Sequence, residues 1–304
     1  MAKLTHSSDI TILLVSYNSK DLTIRCLTSI TKNCPKVEIV VVDNGSIDGS
    51  AEVIESLFPR VELIRSKENL GFGRANNLAA KNAAGRFLFL VNTDTWMLND
   101  VPTILVEYLQ NNPKVYACGP QQFQENYSPQ VVGGVFPSIT TLLWDHLHLW
   151  RIFPESISKK FRVLGKHLNS YPCRYEYLMG SALMFRREVW EKLQGFDPDF
   201  FFYYEETELC HRLKRMGGEI HLVPEAEMVH LHGGSTGGQN GRETFESFLK
   251  LRNSERLYFQ KTSGSMYWKH YRLLSMMLFW VKSKITNSPI LWNNYLAYKA
   301  VPNG

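Results

Sequence analysis

The feature that most constrains this chain is a run of short, continuous apolar segments alternating with helical patterns. Residues 10–15 form a compact apolar run, and Leu22, Cys26, Leu27 and Ile30 then recur at helical spacing. Residues 37–42 predict a second strand, ended by the turn cluster Asp43-Asn44-Gly45-Ser46 and followed by a short helix over 49–57. Residues 61–65 and 87–91 predict two more strands, each followed by a helix (71–84, opened by glycines, and 99–111), and 115–118 a fifth strand. Strands that are apolar throughout and alternate with helices imply an α/β chain whose mostly parallel sheet is covered on both faces. Ligands of such sheets bind beyond the carboxyl ends of the strands. The polar clusters Ser16-Tyr17-Asn18, Asp43-Asn44, 69–74 and Asn92-Thr93-Asp94 are all expected at strand ends, so four in succession point to one polar cleft.

The remainder reads less regularly. Trp144, His146, His148 and Trp150 suggest an aromatic helix, serving as a lid, an acceptor platform or, as we favour, plain packing. A second ordered block over 177–232 holds an expected strand (178–185) and a helix over 205–216, and a helical tail runs over 242–284. With 44% hydrophobic and 21% charged residues the chain can bury a core, and no long stretch is expected to be disordered. The net charge of +5 suits anionic partners such as nucleotides, diphosphates or acidic headgroups without requiring them. The cysteines (Cys26, Cys34, Cys118, Cys173 and Cys210) are odd in number, widely spaced and contain no CxxC pair, which suits a reducing compartment. Neither the N-terminal apolar run nor 273–281, the longest apolar stretch, has the length of a secretion signal or a membrane span.

Several residue groups have the chemistry for a site. Gly71-Phe72-Gly73 is half of a dinucleotide fingerprint, but it follows the third strand rather than the first and has Asn76 where a glycine belongs; a P-loop is absent. Asp94, just after an apolar strand, can hold a hard divalent cation that bridges diphosphate oxygens, or can simply cap a turn. Glu205, Glu206 and Glu208 crowd the first turn of a helix, where the helix dipole favours them. They also follow the aromatic run 200–204, beside which a carboxylate can act as general base on a hydroxyl. His230 and His232 precede a glycine-rich loop and face one side if that segment is extended, as ligands or as structural residues.

Taken in order, the segments 15–19, 42–50, 69–76, 90–94, 179–182, 195–197, 201–212 and 230–235 resemble family 2 glycosyltransferases of the GT-A fold, in particular rhamnosyltransferase-like enzymes of bacterial surface polysaccharide assembly. The resemblance implies a GT-A catalytic domain over 8–237, with a nucleotide-binding half to about 120 and an acceptor half beyond it, and a helical tail over 238–304. It further implies that Tyr17 and Asp43 hold the nucleobase, with Ser16 and Asn18 also among the nucleotide-sugar-binding residues. Asn69, Gly71, Arg74 and Asn76 line the ribose and diphosphate, and Asn92 and Thr93 also bind the nucleotide sugar; Asp94 and His230 hold Mg²⁺ or Mn²⁺; and Glu206 or Glu205 is the base. Two departures are visible: the metal motif has Asn92 for its first acid, and the base motif reads Glu-Glu-Thr-Glu where the family usually has Glu-Asp-x-Asp.

The expected reaction is an inverting transfer from a dTDP- or UDP-sugar, rhamnose among the candidates, to a hydroxyl of a glycan or lipid-linked saccharide. No nucleic-acid partner is expected, and a homo-oligomer is left open. Residues 264–286 mix basic, aromatic and aliphatic side chains, so they either lie on a membrane surface or pack on the catalytic domain or a partner subunit. The expected location is cytoplasmic, with this segment as a peripheral contact on the inner face of the membrane. The alternatives are a sugar nucleotidyltransferase, disfavoured by the absence of glycine in 16–20, and a catalytically impaired sugar-nucleotide-binding scaffold.

Overall fold

The computed structural model describes residues 9–154, 157, 172–231 and 244–303. The first half follows the expected alternation: β1 (Ile10–Ser16), α1 (Lys20–Asn33), β2 (Glu38–Asp43), α2 (Ser50–Leu57), β3 (Glu62–Arg65), α3 (Phe72–Asn82), β4 (Phe87–Asn92), a short β5 (Thr95–Met97), α4 (Val101–Asn111) and β6 (Val115–Phe123). Beyond it come β7 (Gly133–Gly134), α5 (Ile139–His146), β8 (Cys173–Tyr175), β9 (Tyr177–Leu178), β10 (Ala182–Arg186), α6 (Arg187–Leu193), α7 (Glu205–Arg215) and β11 (Glu219–His230). The chain then turns helical: α8 (Phe245–Thr262), α9 (Ser265–Thr286) and α10 (Pro289–Ala300).

The main sheet has the order β3-β2-β1-β4-β10-β6-β11-β5, with β8 on β11. β1, β2, β3 and β4 are mutually parallel, as are β6 and β11, while β10 runs antiparallel to both β4 and β6. The parallel strands therefore end along one edge. Register brings Ser16 beside Asp43 and Val15 beside Asn92, while Ala182, which opens the antiparallel β10, lies beside Val91. Alternate residues of each strand feed two cores: Ile12 and Leu14 face α1 and α4, and Leu13 and Val40 face α3 and α7.

Four sequence readings change. Residues 178–185 are two strands, interrupted at Met179-Gly180-Ser181, because β9 pairs with β7 while β10 enters the main sheet. β6 does not stop at Cys118 but continues through Gly119-Pro120-Gln121-Gln122, carried by its pairing with β11. The 69–74 cluster does not sit at the end of β3, which stops at Arg65; it forms the loop into α3 and that helix's first turn. The aromatic segment divides: Trp144 is buried in α5, whereas Trp150 stands half-exposed in a 3₁₀ turn after it.

The tail helices build a third core. Trp268, Tyr271 and Tyr298 pack with Tyr258 and Phe259 of α8 and with Leu142 and Phe200 of the catalytic body. The opposite face of α9 is exposed and largely apolar, with Met266, Leu273, Met277, Trp280, Val281 and Ile285 at helical spacing. Among the described residues no helix is long and apolar enough to cross a membrane.

Candidate functional site

The strand-end edge is sewn together by hydrogen bonds that the sequence order foreshadows. Asp43, buried at the end of β2, accepts from Ser46 N (3.0 Å) and Ser50 Oγ (3.0 Å), which folds the 43–50 turn around its carboxylate. Asn18, in the left-handed region at φ 47°, ties the β1 loop to that turn: its N–H donates to Ser46 Oγ and its side-chain oxygen accepts from Ile47 N. Asn44 bridges to the glycine loop, donating to Asn69 Oδ1 (2.9 Å) and accepting from Leu70 N (2.8 Å). Asn69 Oδ1 also accepts from Gly71 N. Ser16, Ser19, Thr23 and Thr93 form a buried hydroxyl cluster beneath. Tyr17 is left 42% exposed at the mouth. Asn44 and Ser19 were not assigned roles from sequence, and the signal for both was their place beside a strand-end cluster.

Two residues expected against the diphosphate have structural duties. Asn76 is buried and donates to Phe72 O within α3, and Arg74 Nε donates to Pro198 O (2.8 Å), which ties α3 to the acceptor half. Gly71 has φ +81°, and a Cβ there would run into the Phe201 carbonyl. That carbonyl accepts from Phe72 N (3.2 Å), so glycine permits direct backbone contact between the glycine loop and the aromatic run 200–204.

At the end of β4, Asn92 N donates to Ser181 O, which brings the Met179-Gly180-Ser181 break onto the same edge. Ser181 Oγ donates to the buried Gln122 (2.9 Å), a polar pair inside the sheet that sequence reasoning missed because Gly119-Pro120 reads as a strand breaker. Asp94 and His230 are both buried, with Oδ1 and Nε2 3.5 Å apart, and Leu231 N donates to Asp94 O. They belong to different segments, brought together because β11 pairs with β5 and places His230 beside Thr95. His232 and the 233–235 loop lie outside the described residues. His230, Gln130 and Met179 border a cavity of about 880 Å³, and Gln130 Nε2 donates to His230 O.

A carboxylate and an imidazole that face each other at a strand end form a donor set that would suit a divalent cation such as Mg²⁺ or Mn²⁺, with ligands from outside the chain completing it. No cluster of three or more such side chains exists among the described residues, so any such cation would need those outside ligands. Asn92, the departure from a double acid, lies on the same strand end.

The two base candidates occupy different places. Glu205 is 4% exposed and packs against the Gly73 backbone of α3, and its Oε2 has no hydrogen-bond partner among the described residues. Glu206 is half-buried on the other side, beside Gly180 and Phe72. Burial raises both carboxyls above the ordinary range, Glu205 well above it, with the Glu206 charge adding to the effect there. Tyr203 and Tyr204, just before them, both have left-handed φ (71° and 67°), a conformation costing about 1–3 kcal/mol each that persists only where the surroundings enforce it. Ser254 Oγ donates to Phe202 O and Tyr204 Oη to the buried Glu255 (2.8 Å), so α8 grips this loop from behind.

Comparison with known proteins identifies the family and the fold. The profile described as glycosyl transferase family 2 matches residues 11–194, and one described as the N-terminal domain of galactosyltransferase matches 163–233. An N-acetylglucosaminyl-diphospho-decaprenol L-rhamnosyltransferase of Mycobacterium tuberculosis is 26% identical over 221 residues, 66% of this chain and 68% of that protein. The uncharacterized glycosyltransferase YfnE of Bacillus subtilis is 31% identical over 249 residues, 72% of this chain and 64% of that one. Among solved structures, the mannosyltransferase PcManGT from Pyrobaculum calidifontis in complex with GDP-Man and Mn²⁺ superposes with a TM-score of 0.54 at 17% identity, covering 97% of this chain and 71% of that one. GalNAc-T7 with UDP, GalNAc and Mn²⁺ superposes at 0.61 and 15% identity, covering 99% and 52%. Both share the GT-A fold with this chain. With a mostly parallel sheet that has polar clusters at the ends of β1, β2 and β4, and a family profile spanning more than half its length, the chain belongs to glycosyl transferase family 2 and is a glycosyltransferase.

Proposed function

We propose that this glycosyltransferase moves a sugar, rhamnose being the leading candidate, from a dTDP- or UDP-sugar to a hydroxyl of a glycan or lipid-linked saccharide, with inversion at the anomeric carbon and Glu206 as base. The observation that carries the reading is the convergence of Asp43, the glycine loop, Asp94, His230 and Glu206 on one sheet edge, although they span most of the catalytic sequence. Tyr17, exposed at the mouth, stacks on the nucleobase, and the loops held by Asp43, Asn44 and Asn69 shape the wall against which the ribose lies. Asp94 and His230 hold Mg²⁺ or Mn²⁺; when bound, that ion supplies charge neutralisation to the leaving diphosphate. Glu206 accepts the acceptor hydroxyl proton as that oxygen forms its bond to the anomeric carbon. The bond to the phosphate oxygen breaks, its electron pair leaving with the nucleoside diphosphate. A raised Glu206 carboxyl is a stronger base once ionised, which suits proton removal from an alcohol near neutral pH.

Glu206→Gln tests this reading: donor affinity should stay within about twofold while turnover falls roughly 10²-fold or more. Unchanged turnover would remove Glu206 from the mechanism. Asp94→Asn should abolish the dependence of donor binding on Mn²⁺ in calorimetry; a wild-type protein that binds donor equally in EDTA would remove the metal. Donor affinity without any transfer or donor hydrolysis would instead identify a binding scaffold.

The acceptor side of the proposal includes a peripheral membrane contact. No Asp or Glu occurs after Glu255, while Lys269, Arg272, Lys282 and Lys284 belong to the helix that exposes the apolar stripe of α9. Trp280 and Trp292 sit on the exposed side, with Lys284 Nζ 4.6 Å from the Trp292 ring. Apolar surface with aromatic and basic side chains and no acid matches an anionic bilayer surface. The protein should therefore sediment with phosphatidylglycerol vesicles but not with phosphatidylcholine vesicles, and Met277→Glu with Trp280→Glu should release it. A protein that stays in the supernatant and instead dimerises through this face would overturn the membrane assignment.

A further inference from the structure

We propose that Glu255, in the helical tail, is a positioning residue for the transfer: through the Tyr204 hydroxyl it sets the aim of Glu206. The proposal rests on Glu206 being the base. Glu255 is 1% exposed and takes four donors: Tyr204 Oη (2.8 Å) and Tyr271 Oη (3.2 Å) on Oε1, and Tyr298 Oη (2.7 Å) and Arg252 Nη1 (3.0 Å) on Oε2. Three of these come from the tail helices and bind the tail to itself. The fourth, Tyr204, belongs to the catalytic body, is the N-cap residue of α7, and lies two positions before Glu206.

Tyr204 O accepts from Glu208 N, the first hydrogen bond of α7, so the Tyr204 backbone fixes where that helix starts and how its first turn is rotated. Its left-handed conformation follows a second left-handed residue, Tyr203, and no local glycine relieves either. At the other end α7 is anchored by Arg212, which donates to Gly195 O (2.9 Å). The aim of the first turn, which carries Glu206, is thus controlled from the Tyr204 end. Tyr204 also packs its ring on Tyr258 (centroids 5.3 Å apart), so removing the hydroxyl alone leaves the aromatic contact in place.

Tyr204→Phe and Tyr271→Phe form a matched pair, because both delete a hydroxyl that donates to the same carboxylate oxygen. A merely structural hub predicts the same result for both. Positioning predicts that Tyr204→Phe lowers kcat by about 10- to 30-fold with donor KM within twofold, whereas Tyr271→Phe keeps kcat within about twofold at a comparable loss of Tm. Equal kcat values in the two variants would overturn the proposal. Glu206→Gln, assayed alongside, separates the failures: if it loses turnover while Tyr204→Phe does not, the base stands and the positioning role falls. If Glu206→Gln retains turnover, the base assignment itself falls.

Discussion

Two buried carboxylate sites, one on each side of Tyr204, are built on opposite terms. Glu255 is closed off and satisfied, with three phenols and a guanidinium on its two oxygens. Burial, and next the Glu255 charge, push the Tyr204 and Tyr271 hydroxyls well above the ordinary phenol range, so these groups remain donors at any working pH. Glu205 and Glu206 lie one and two residues beyond Tyr204; Glu205 Oε2 has no partner among the described residues, and both carboxyls titrate above their usual range. A network that satisfies its charge holds shape. A pair that leaves charge costly is poised to take up a proton, and sites of chemistry are where such a cost is tolerated.

The contrast can be attacked from both ends. The largest effect is expected for Glu255→Ala, which strands the largely buried Arg252 side chain (12% exposed) and should cost about 3–5 kcal/mol in chemical denaturation; a loss under 1 kcal/mol would deny the hub its structural weight. Next comes the pH dependence of turnover. A base raised above the carboxylate range is ionised, and active, only above its raised pKa, so kcat should fall on acidification at a pH above the ordinary Glu value, and Glu206→Gln should abolish that limb. Because Glu205 and Glu206 interact, the apparent value belongs to the pair. Smaller is the effect of Glu205→Gln. A carboxyl whose folded-state pKa is raised favours the fold while protonated, and that advantage is lost as pH rises above the unfolded value of 4.5. The amide should therefore stabilise the protein at pH 7–8 by about 1–3 kcal/mol, with the gain vanishing near pH 4. The smallest is Arg65→Ala, which removes exposed pairs with Glu52 and Glu55 and should change stability by less than about 1 kcal/mol.

Legibility in the sequence followed the same division. β1, β2 and β4 and the helices between them were readable because each strand is apolar on both faces and ends in a polar cluster. Asp94 and His230 were each legible as possible ligands and were paired through family resemblance, but their proximity depends on β5, three residues long, and on a twelve-residue β11. β11 was illegible because Pro224, Glu225 and Glu227 interrupt its apolar pattern where the pairing register shifts between Val223 and Glu227. Choosing between Glu205 and Glu206 was beyond the sequence, since adjacent helical residues differ only in which neighbour each side chain meets. The Glu255 hub was hidden for a related reason: its partners lie 51, 16 and 43 residues away, and a lone Glu in a helical pattern reads as solvated surface.

The absence of acid beyond Glu255 has an electrical consequence for the whole molecule. None of the 29 acidic residues lies beyond Glu255, whereas seven of the 34 basic ones do, so the body is net negative and the tail strongly positive. The protein is a permanent dipole whose positive pole carries the apolar stripe. Near an anionic surface the field would exert a torque on it and turn the tail inward from within a Debye length of about 10 Å at 0.1 M salt, so orientation would precede contact. Raising the ionic strength should therefore slow productive docking before it weakens the docked state, whose apolar contacts salt does not screen.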